Sequence, residues 1–308
     1  MTITSSGLAP GRAAPLPFTR WRRLGFAVSL AILLATFVAL GLRGLDLGID
    51  FTGGVSVEAA LGREADAAAL EALRERLAAK GLTGAEAQGL DGGSVLIRLP
   101  PGEGGSAAAD AVSRALGAGA EIRSVDVVGP KVSGELFRSG ALASLLAVLG
   151  IAIYIWLRFE ARYAFAAFLT TAHDVAMVVG LFAITRLSFD LTSIAALLAV
   201  AGYSINDTVV VFDRIRETLG RPGAGPLPLV IDQAVTETLR RTLMTSGTTL
   251  AATVSLMIFG GPALFGFAAA TTFGIALGTI SSICIAAPLL LHLPGALTRR
   301  AEETAEGE

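Results

Sequence analysis

Six apolar segments, each long enough to cross a lipid bilayer, constrain this chain more than any other feature of its sequence. The hydrocarbon core of a bilayer is about 30 Å thick and takes about 20 apolar residues per helical crossing. Because 53% of the 308 residues are hydrophobic and only 16% are charged, a water-soluble domain of this length could not bury them all. The sequence therefore predicts an α-helical polytopic membrane protein with six transmembrane helices, at 24–42, 139–158, 163–185, 191–212, 243–260 and 265–291.

The arginines predict the orientation of these helices, because cytoplasmic loops carry an excess of positive charge. With six crossings the two termini lie on one side, and nearly all flanking arginines fall on that side, whereas the opposite short loop at 186–190 carries one. We therefore expect both termini to be cytoplasmic and the region after the first helix to be extracytoplasmic. The arginines on the cytoplasmic side are Arg12, Arg20, Arg22, Arg23, Arg158, Arg162, Arg214, Arg216, Arg221, Arg240, Arg241, Arg299 and Arg300.

The first apolar segment is interpreted as a retained membrane helix and not as a signal peptide. It is longer than a usual signal-peptide core and is followed by Arg43 and Asp46 instead of a small-residue cleavage site. The predicted organisation is a cytoplasmic N-terminal segment, a first helix, an extracytoplasmic domain, a membrane domain of helices two to six and a solvated cytoplasmic tail. Their respective bounds are 1–23, 24–42, 43–138, 139–292 and 293–308.

The extracytoplasmic region 43–138 has the residue pattern of a small soluble domain. Charged residues are spread through it, and alternating apolar residues indicate strands on either side of two helical patterns. The order is strand, helix, strand, strand, helix, strand, which predicts a ferredoxin-like α+β fold. The elements are Val55–Glu58, 64–80, Ala85–Leu90 and Ser94–Leu99 joined across Asp91–Gly93, Ser106–Gly117 and Glu121–Val128.

Three ionisable residues lie inside predicted membrane helices, where lipid disfavours charge. They are His173 and Asp174 in the third helix and Asp207 in the fourth. A carboxylate at the centre of a membrane helix costs at least about 2.5 kcal/mol, so it needs a partner, a water-filled cavity or a function. The alternative is that the three side chains are hydrogen-bonding links between helices without any further role.

Asp207 is the main candidate for a proton carrier. Tyr203 and Ser204 share its helix face and Asn206 precedes it, so polar groups cluster in an otherwise apolar span. Burial disfavours the charged form of a carboxylate and a nearby cation favours it, and the natural cation is Arg241 at the start of the fifth helix. Arg241 and Arg240 have a second interpretation, as charges that only set topology.

The fifth helix continues this polar track with hydroxyl side chains. The predicted proton pathway comprises Asp207, Arg241, Asn206, Ser204, Thr245 and Ser246. Gly274 and Gly278 have the spacing of close helix packing and are interpreted structurally.

Motifs for other chemistry are missing from the sequence. The single cysteine, Cys284, lies in an apolar run, and no Cys/His cluster for a metal is present. The glycine-rich stretch 101–106 lacks the Gly-Lys-Ser/Thr ending of a phosphate loop. We therefore expect no metal, no cofactor, no nucleic-acid partner and no catalytic turnover.

Two longer motifs resemble those of the SecD/SecF protein-export family. Residues 46–54, Asp-Leu-Gly-Ile-Asp-Phe-Thr-Gly-Gly, are similar to a hallmark of that family, and 201–217 resemble its SecF branch more than SecD. Shorter matches lie at 129–136, 172–175 and 241–250. A departure is Thr236-Glu237, where the family usually has Asn-Gln. The family-motif residues of the first hallmark are Asp46, Gly48, Asp50, Phe51, Gly53 and Gly54.

The resemblance implies a fold, partners and a function. It implies half of a twelve-helix unit of the resistance-nodulation-division type, completed by SecD, in the bacterial inner membrane. It also implies work with the SecYEG channel, and with YajC and YidC, on a translocating polypeptide, driven by the proton-motive force through Asp207 and Arg241. Two alternatives stay open, an exporter of a lipid or small molecule and a scaffold without transport activity. Proton and sodium coupling are both compatible with the sequence.

Overall fold

The computed structural model describes residues 15–61, 66–90, 93–101, 105–117 and 120–293, and shows two compact units. One unit comprises residues up to Gly44, Ala147–Thr185 and the chain from Ala195, and the other Leu45–Leu146 with Arg186–Ile194. The predicted turn at Asp91-Gly92, most of the segment 1–23 and all but Leu293 of the tail 293–308 lie outside the described residues.

The described residues include six helices long and apolar enough to cross a membrane. A 3-10 turn, Phe18–Trp21, leads into the first, and a π-helical turn, Ser282–Ala286, and the short α10, Ala287–Leu289, follow the last. The six are α1 (Arg22–Arg43), α5 (Pro130–Arg158), α6 (Ala161–Thr185), α7 (Leu191–Leu219), α8 (Leu227–Phe259) and α9 (Pro262–Ser281).

The domain between α1 and α5 has the predicted element order. A one-turn helix, α2 (Ile49–Thr52), precedes four strands and two helices, and the sheet order β2-β3-β1-β4 with antiparallel neighbours is ferredoxin-like. The elements are β1 (Gly54–Ala60), α3 (Ala67–Ala79), β2 (Glu86–Leu90), β3 (Ser94–Leu99), α4 (Gly105–Leu116) and β4 (Glu121–Val128).

The core of this domain lies between one face of the sheet and its two longer helices. Val57 and Ile97 face each other across β1 and β3 and are fully buried. Leu73 and Leu77, four residues apart on α3, and Val112 on α4 complete the same cluster. The period of two in the strands and the helical spacing in α3 therefore direct these side chains into a shared core.

Three helices, α6, α7 and α9, form the buried part of the membrane unit. About half of the apolar window of each is buried, whereas α1, α5 and α8 expose most of theirs. Close approach depends on glycine, because a Cβ at Gly274 of α9 would lie 2.3 Å from Val200 of α7, and one at Gly180 of α6 would lie 2.3 Å from Thr36 of α1. The packing role predicted for Gly274 and Gly278 is confirmed.

Three membrane helices extend well beyond the predicted spans. α5 begins at Pro130 instead of near 139, α7 continues to Leu219, and α8 begins at Leu227 instead of 243. The extension of α8 is amphipathic, and its Val230, Ile231 and Val235 are buried in the same cluster as the end of α7. Hydropathy alone locates the lipid-crossing part of a helix and not its polar continuation.

The π-helical turn after α9 has a covalent cause. Proline has no backbone N–H, so Pro288 cannot donate to the carbonyl of Cys284 four residues earlier, and the helix widens locally. That carbonyl oxygen instead lies where a Cβ at Gly25 of α1 would be 3.3 Å away. The widened turn thus lies directly against α1.

Candidate functional site

Asp207 occupies the interior of the membrane unit, on α7. Only 2% of the residue is exposed, although it is acidic and lies in an apolar helix. Two polar side chains compensate its carboxylate weakly: Ser246 Oγ of α8 lies 3.5 Å from its Oδ2 atom, and Asn206, the preceding residue, is the second hydrogen-bond partner. A carboxylate with so little compensation is held in its charged form at considerable cost.

Ser246 connects Asp207 with the last membrane helix. Its hydroxyl lies 2.6 Å from Thr279 Oγ1 of α9, and Thr279 Oγ1 donates to the carbonyl oxygen of Ile275 at 2.8 Å. Both hydroxyl residues are buried. A short chain of exchangeable protons therefore runs from the carboxylate on α7 through α8 to α9.

The other predicted members of the proton pathway are divided between two helix faces. Asn206 is exposed beside Asp207, and Arg241 and Thr245 are exposed on α8, where Thr245 Oγ1 donates to the Arg241 carbonyl oxygen at 2.9 Å. Within the part of the chain described, Arg241 makes no ion pair with Asp207. The structure brings Ser246 to Asp207, and Arg241, exposed on α8, is near enough for its charge to act on the Asp207 carboxylate without an ion pair.

Ser204 contacts a different carboxylate from the one expected. Its hydroxyl donates to Asp174 Oδ2 at 2.6 Å, and Ser281 of α9 donates to the same oxygen at 2.6 Å. Asp174 is fully buried. The second acid predicted from sequence is therefore well satisfied by hydrogen bonds, unlike Asp207.

His173 completes the Asp174 cluster on its other side. Its Nδ1 atom lies 2.9 Å from Asp174 Oδ1, and its Nε2 atom lies 2.6 Å from Ser29 Oγ of α1. The imidazole thus bridges a hydroxyl and a carboxylate. The intramembrane pair whose role the sequence left open lies in a network that spans four helices.

The Asp46–Gly54 motif has a structural role in the other unit. Gly48 N donates to the Phe189 carbonyl oxygen at 2.8 Å, and Phe189 N donates to that of Asp46 at 2.7 Å. Asp50 Oδ2 accepts from Leu191 N, the first residue of α7, at 3.0 Å. The motif therefore fixes the segment that leads into the helix bearing Asp207.

The glycines and the aromatic residue of the motif allow the close packing of its backbone against β3 and Phe189. Gly54 has φ +120°, and a Cβ there would lie 2.1 Å from the carbonyl oxygen of Leu99, so only glycine fits. Gly53 has φ +72° at the end of α2. The Phe51 ring lies 6.1 Å from that of Phe189, centroid to centroid.

Arg98 of β3 ties this motif to the sheet. Its guanidinium donates to Asp46 Oδ1 at 2.9 Å and to Gln88 Oε1 at 3.2 Å, and it also contacts Ser188 Oγ. Only 11% of the Arg98 side chain is exposed. Sequence analysis missed this residue, because a single arginine in an amphipathic strand is indistinguishable from a surface charge.

Metal binding has no support in the described residues, which contain no group of three or more His, Cys, Asp or Glu side chains that could hold an ion. The membrane unit contains carboxyl, imidazole and hydroxyl groups in hydrogen-bond contact, which can exchange protons. Three contributors to it, Ser29, Thr279 and Ser281, were not predicted.

Comparisons with known proteins match both regions that carry these sites. Residues 108–295 match the family described as "Protein export membrane protein SecD/SecF, C-terminal", and residues 38–63 match the "SecD/SecF GG Motif". The "Protein translocase subunit SecF" of Vibrio alginolyticus is 39% identical over 283 residues, which cover 90% of this chain and 89% of the relative.

Longer relatives contain the matched region as one part. The "Protein translocase subunit SecDF" of Brucella abortus is 42% identical over 285 residues, covering 90% of this chain but 37% of the relative. The crystal structure of SecDF, "a translocon-associated membrane protein", from Thermus thermophilus matches with a TM-score of 0.81 and 32% identity, covering 90% of this chain and 38% of that one. The chain therefore spans under two fifths of the length of these SecDF proteins.

Proposed function

The chain belongs to the SecD/SecF family of protein-export membrane proteins, and from that premise we propose that it uses the proton-motive force to promote late steps of polypeptide export through SecYEG. The observation that carries the proposal is the burial of Asp207 in an apolar helix, where the Ser246 hydroxyl lies 3.5 Å from its carboxylate and Asn206 is its other side-chain partner. A carboxylate in this state binds a proton readily, so its charge can follow the conformation of the helices around it.

The uncovered polar face next to Asp207 supports a second half with SecD character. Asn206, Arg241 and Thr245 are exposed on α7 and α8, although lipid disfavours such groups. In the SecDF relatives a single chain contains a region like this one together with further sequence. A SecD half packed on this face would cover the three side chains and complete a proton path between the halves.

Further hydroxyls favour access of water to this region. Those of Thr171, Tyr203 and Thr208 are buried without a hydrogen-bond partner in the described part of the chain. A buried hydroxyl without a partner is costly, and water is the smallest molecule that can satisfy it. We place the termini in the cytoplasm and the ferredoxin-like domain outside, where it meets the emerging polypeptide, in accord with the arginine distribution.

The experiment that tests the proposal is the replacement Asp207→Asn. Inverted membrane vesicles that contain SecYEG, SecD and this chain are energised, and completion of export is measured with and without an uncoupler. We expect Asp207→Asn to abolish the part of export that the uncoupler removes. The control is Glu160→Gln, which removes an exposed carboxylate from the link between α5 and α6. Uncoupler-sensitive export at the normal rate with Asp207→Asn would refute the proposal.

A companion variant, Arg241→Met, separates coupling from topology. If Arg241 acts on the proton path, correctly oriented molecules lose uncoupler-sensitive export. If it only sets topology, orientation changes while coupling survives in the molecules that insert correctly. An imposed sodium gradient in place of the proton gradient distinguishes the coupling ion. A scaffold without transport activity predicts that both buried and exposed charges are dispensable for export.

A further inference from the structure

The cluster around His173 differs from the Asp207 site in being almost fully hydrogen-bonded. It consists of Ser29, His173, Asp174, Ser204 and Ser281, contributed by α1, α6, α7 and α9. The side chain of Asp174 is 0% exposed and that of His173 10%. Four membrane helices therefore contribute side chains to the surroundings of one pair of titratable groups, His173 and Asp174.

The hydrogen-bond pattern fixes where protons lie in this cluster. Asp174 Oδ2 accepts from two hydroxyls at 2.6 Å, a length typical of an O–H donor to an ionised carboxylate. The other oxygen, Oδ1, then accepts from His173 Nδ1–H at 2.9 Å. The remaining ring nitrogen, Nε2, lies 2.6 Å from Ser29 Oγ, and it accepts from that hydroxyl when the ring is neutral and donates to it when the ring is an imidazolium.

A mostly apolar groove in the membrane unit borders this cluster. The groove has a volume of about 510 Å³, and His173, Ser29 and Ser281 are among its lining residues, whereas Asp174 is not. It extends along α1 to Phe18 and Trp21 at the beginning of that helix. His173 and its partner Ser29 therefore border a space that extends toward the beginning of α1, whereas Asp174 lies in the interior.

Few other titratable groups face this pair. Within the described residues, the groove lining adds only Cys284, from the π-helical turn. On α7 the nearest is Asp207, one turn from Ser204, and α1 has Arg22 and Arg23 at its beginning, beyond the residues that line the groove beside His173. A charge on the imidazole would thus be determined chiefly by Asp174.

From this arrangement we infer that His173 and Asp174 form a second proton-binding site, separate from Asp207, which exchanges its proton through the groove lined by α1, α6 and α9. Ser29 Oγ passes its proton to the lone pair of Nε2 and takes one from a hydronium ion in the groove, which is left as water, so that Ser29 Oγ changes from donor to acceptor in the same contact. One O–H bond of hydronium breaks, one N–H bond forms, and the O–H bond of Ser29 is broken and formed again. The resulting imidazolium and the Asp174 carboxylate form a buried ion pair stabilised by Ser204 and Ser281.

Two features of this arrangement suit it to binding and releasing a proton. Imidazole is the side chain that ordinarily changes charge between pH 5 and 8. A carboxylate bonded to Nδ1–H fixes the tautomer and orients the ring, as in other Ser-His-Asp arrangements. The inference concerns the chain alone and does not depend on the proposed role of Asp207.

Nuclear magnetic resonance of the histidine rings tests the inference directly, because the chain has only two histidines. The full chain is labelled with ¹⁵N-histidine, carries His292→Gln so that a single ring remains, and is studied in lipid nanodiscs between pH 5 and 8. We expect one neutral form with the proton on Nδ1 at high pH and a doubly protonated ring at low pH, with reversible conversion. A ring that stays in one state throughout this range overturns the inference.

Two carboxylate variants separate this site from the proposed coupling site. With Asp174→Asn we expect the preference for the Nδ1–H tautomer to be lost, whereas Asp207→Asn should leave both the tautomer and the titration in place. Unchanged ring signals in Asp174→Asn overturn the inference, whatever Asp207→Asn does to export. If Asp207→Asn abolishes export and the His173 ring does not change its protonation with pH, the proposed function stands and only this second site is ruled out.

Two further measurements apply if Asp174→Asn does not fold. Ser29→Ala removes the partner of Nε2, so the Nε2 resonance of the neutral ring should shift while that of Nδ1 stays, and an unshifted Nε2 resonance counts against the site. Cys284, the single cysteine, can carry methanethiosulfonate reagents of either charge in the groove. A positively charged and a negatively charged reagent should displace the titration midpoint of His173 in opposite directions. Equal displacements by the two reagents would rule out the groove as the route of the proton.

Discussion

The two buried carboxylates should respond in opposite ways to the same substitution. Asp207→Asn removes a charge whose side-chain partners are Ser246, at 3.5 Å, and the exposed Asn206. Asp174→Asn removes a charge that accepts two hydroxyls at 2.6 Å and an imidazole N–H at 2.9 Å. Both residues are buried in the same membrane unit. The pair is therefore a matched test of whether hydrogen bonding decides the cost of an intramembrane charge.

The magnitudes follow from the contacts. Asp207→Asn forfeits about 1 kcal/mol for a weak hydrogen bond and relieves about 2.5–3.5 kcal/mol of charge burial, so it should stabilise the fold by about 2 kcal/mol. Asp174→Asn relieves a similar burial cost but loses three charge-assisted bonds of about 1.5–3 kcal/mol each, so it should destabilise by about 4 kcal/mol. The two variants should differ by about 6 kcal/mol.

Reversible unfolding of the reconstituted full chain, for example by denaturing detergent in bicelles, measures this difference. The free energies of unfolding of wild type and both variants are compared at the same lipid composition, because bilayer composition itself affects stability. Ser246→Ala serves as the control for the weak contact and should change stability by less than about 1.5 kcal/mol. If Asp207→Asn proves as destabilising as Asp174→Asn, the reasoning from hydrogen-bond geometry is refuted.

Three further substitutions test the packing and the motif. Gly274→Ala should destabilise the membrane unit by about 1–3 kcal/mol, and Val200→Ala should partly restore it by removing the methyl groups it meets; failure of the rescue would contradict the close approach. Gly54→Ala should make the ferredoxin-like domain of the full chain sensitive to limited proteolysis, whereas resistance equal to wild type would argue against the clash. Arg98→Met should increase hydrogen exchange in residues 186–190 because its bonds to that segment and to β2 are lost, and unchanged exchange would count against this role.

The parts of the fold that the sequence predicted are those with a strong period. The six apolar spans and the order of strands and helices in the outer region follow from hydropathy and alternation, and β4 has the predicted bounds, Glu121–Val128. The predicted fifth span begins at 243, whereas α8 begins at Leu227. Hydropathy does not include this first part of α8, because its buried face is interrupted by polar residues such as Asp232. Asp232 is itself buried and accepts from Thr19 N and Thr19 Oγ1 at 2.8 and 2.9 Å.

The Thr236-Glu237 departure illustrates what one sequence cannot specify. Glu237 contacts Arg214 of α7 and accepts from Gln233 at 3.1 Å, so its charge is paired across two helices. Thr236 Oγ1 accepts from Leu16 N at 3.0 Å. Both residues thus take part in contacts between the beginning of α8 and neighbouring parts of the chain, and the departure has a local structural explanation.

The candidate site shows where sequence reasoning ends. An acid in an apolar helix stands out in any single sequence, so Asp174 and Asp207 could be found, but a serine in a membrane helix is ordinary. Ser29 and Ser281 lie 252 residues apart and become informative only because α1 and α9 both pack against α6. Helix spacing correctly places Ser204 and Asp207 on one face of α7. In the structure, however, Ser204 donates to Asp174 of α6, whereas Asp207 is next to Ser246 of α8. The acids can therefore be read from composition, whereas the partners that decide which of them is satisfied depend on how the helices meet.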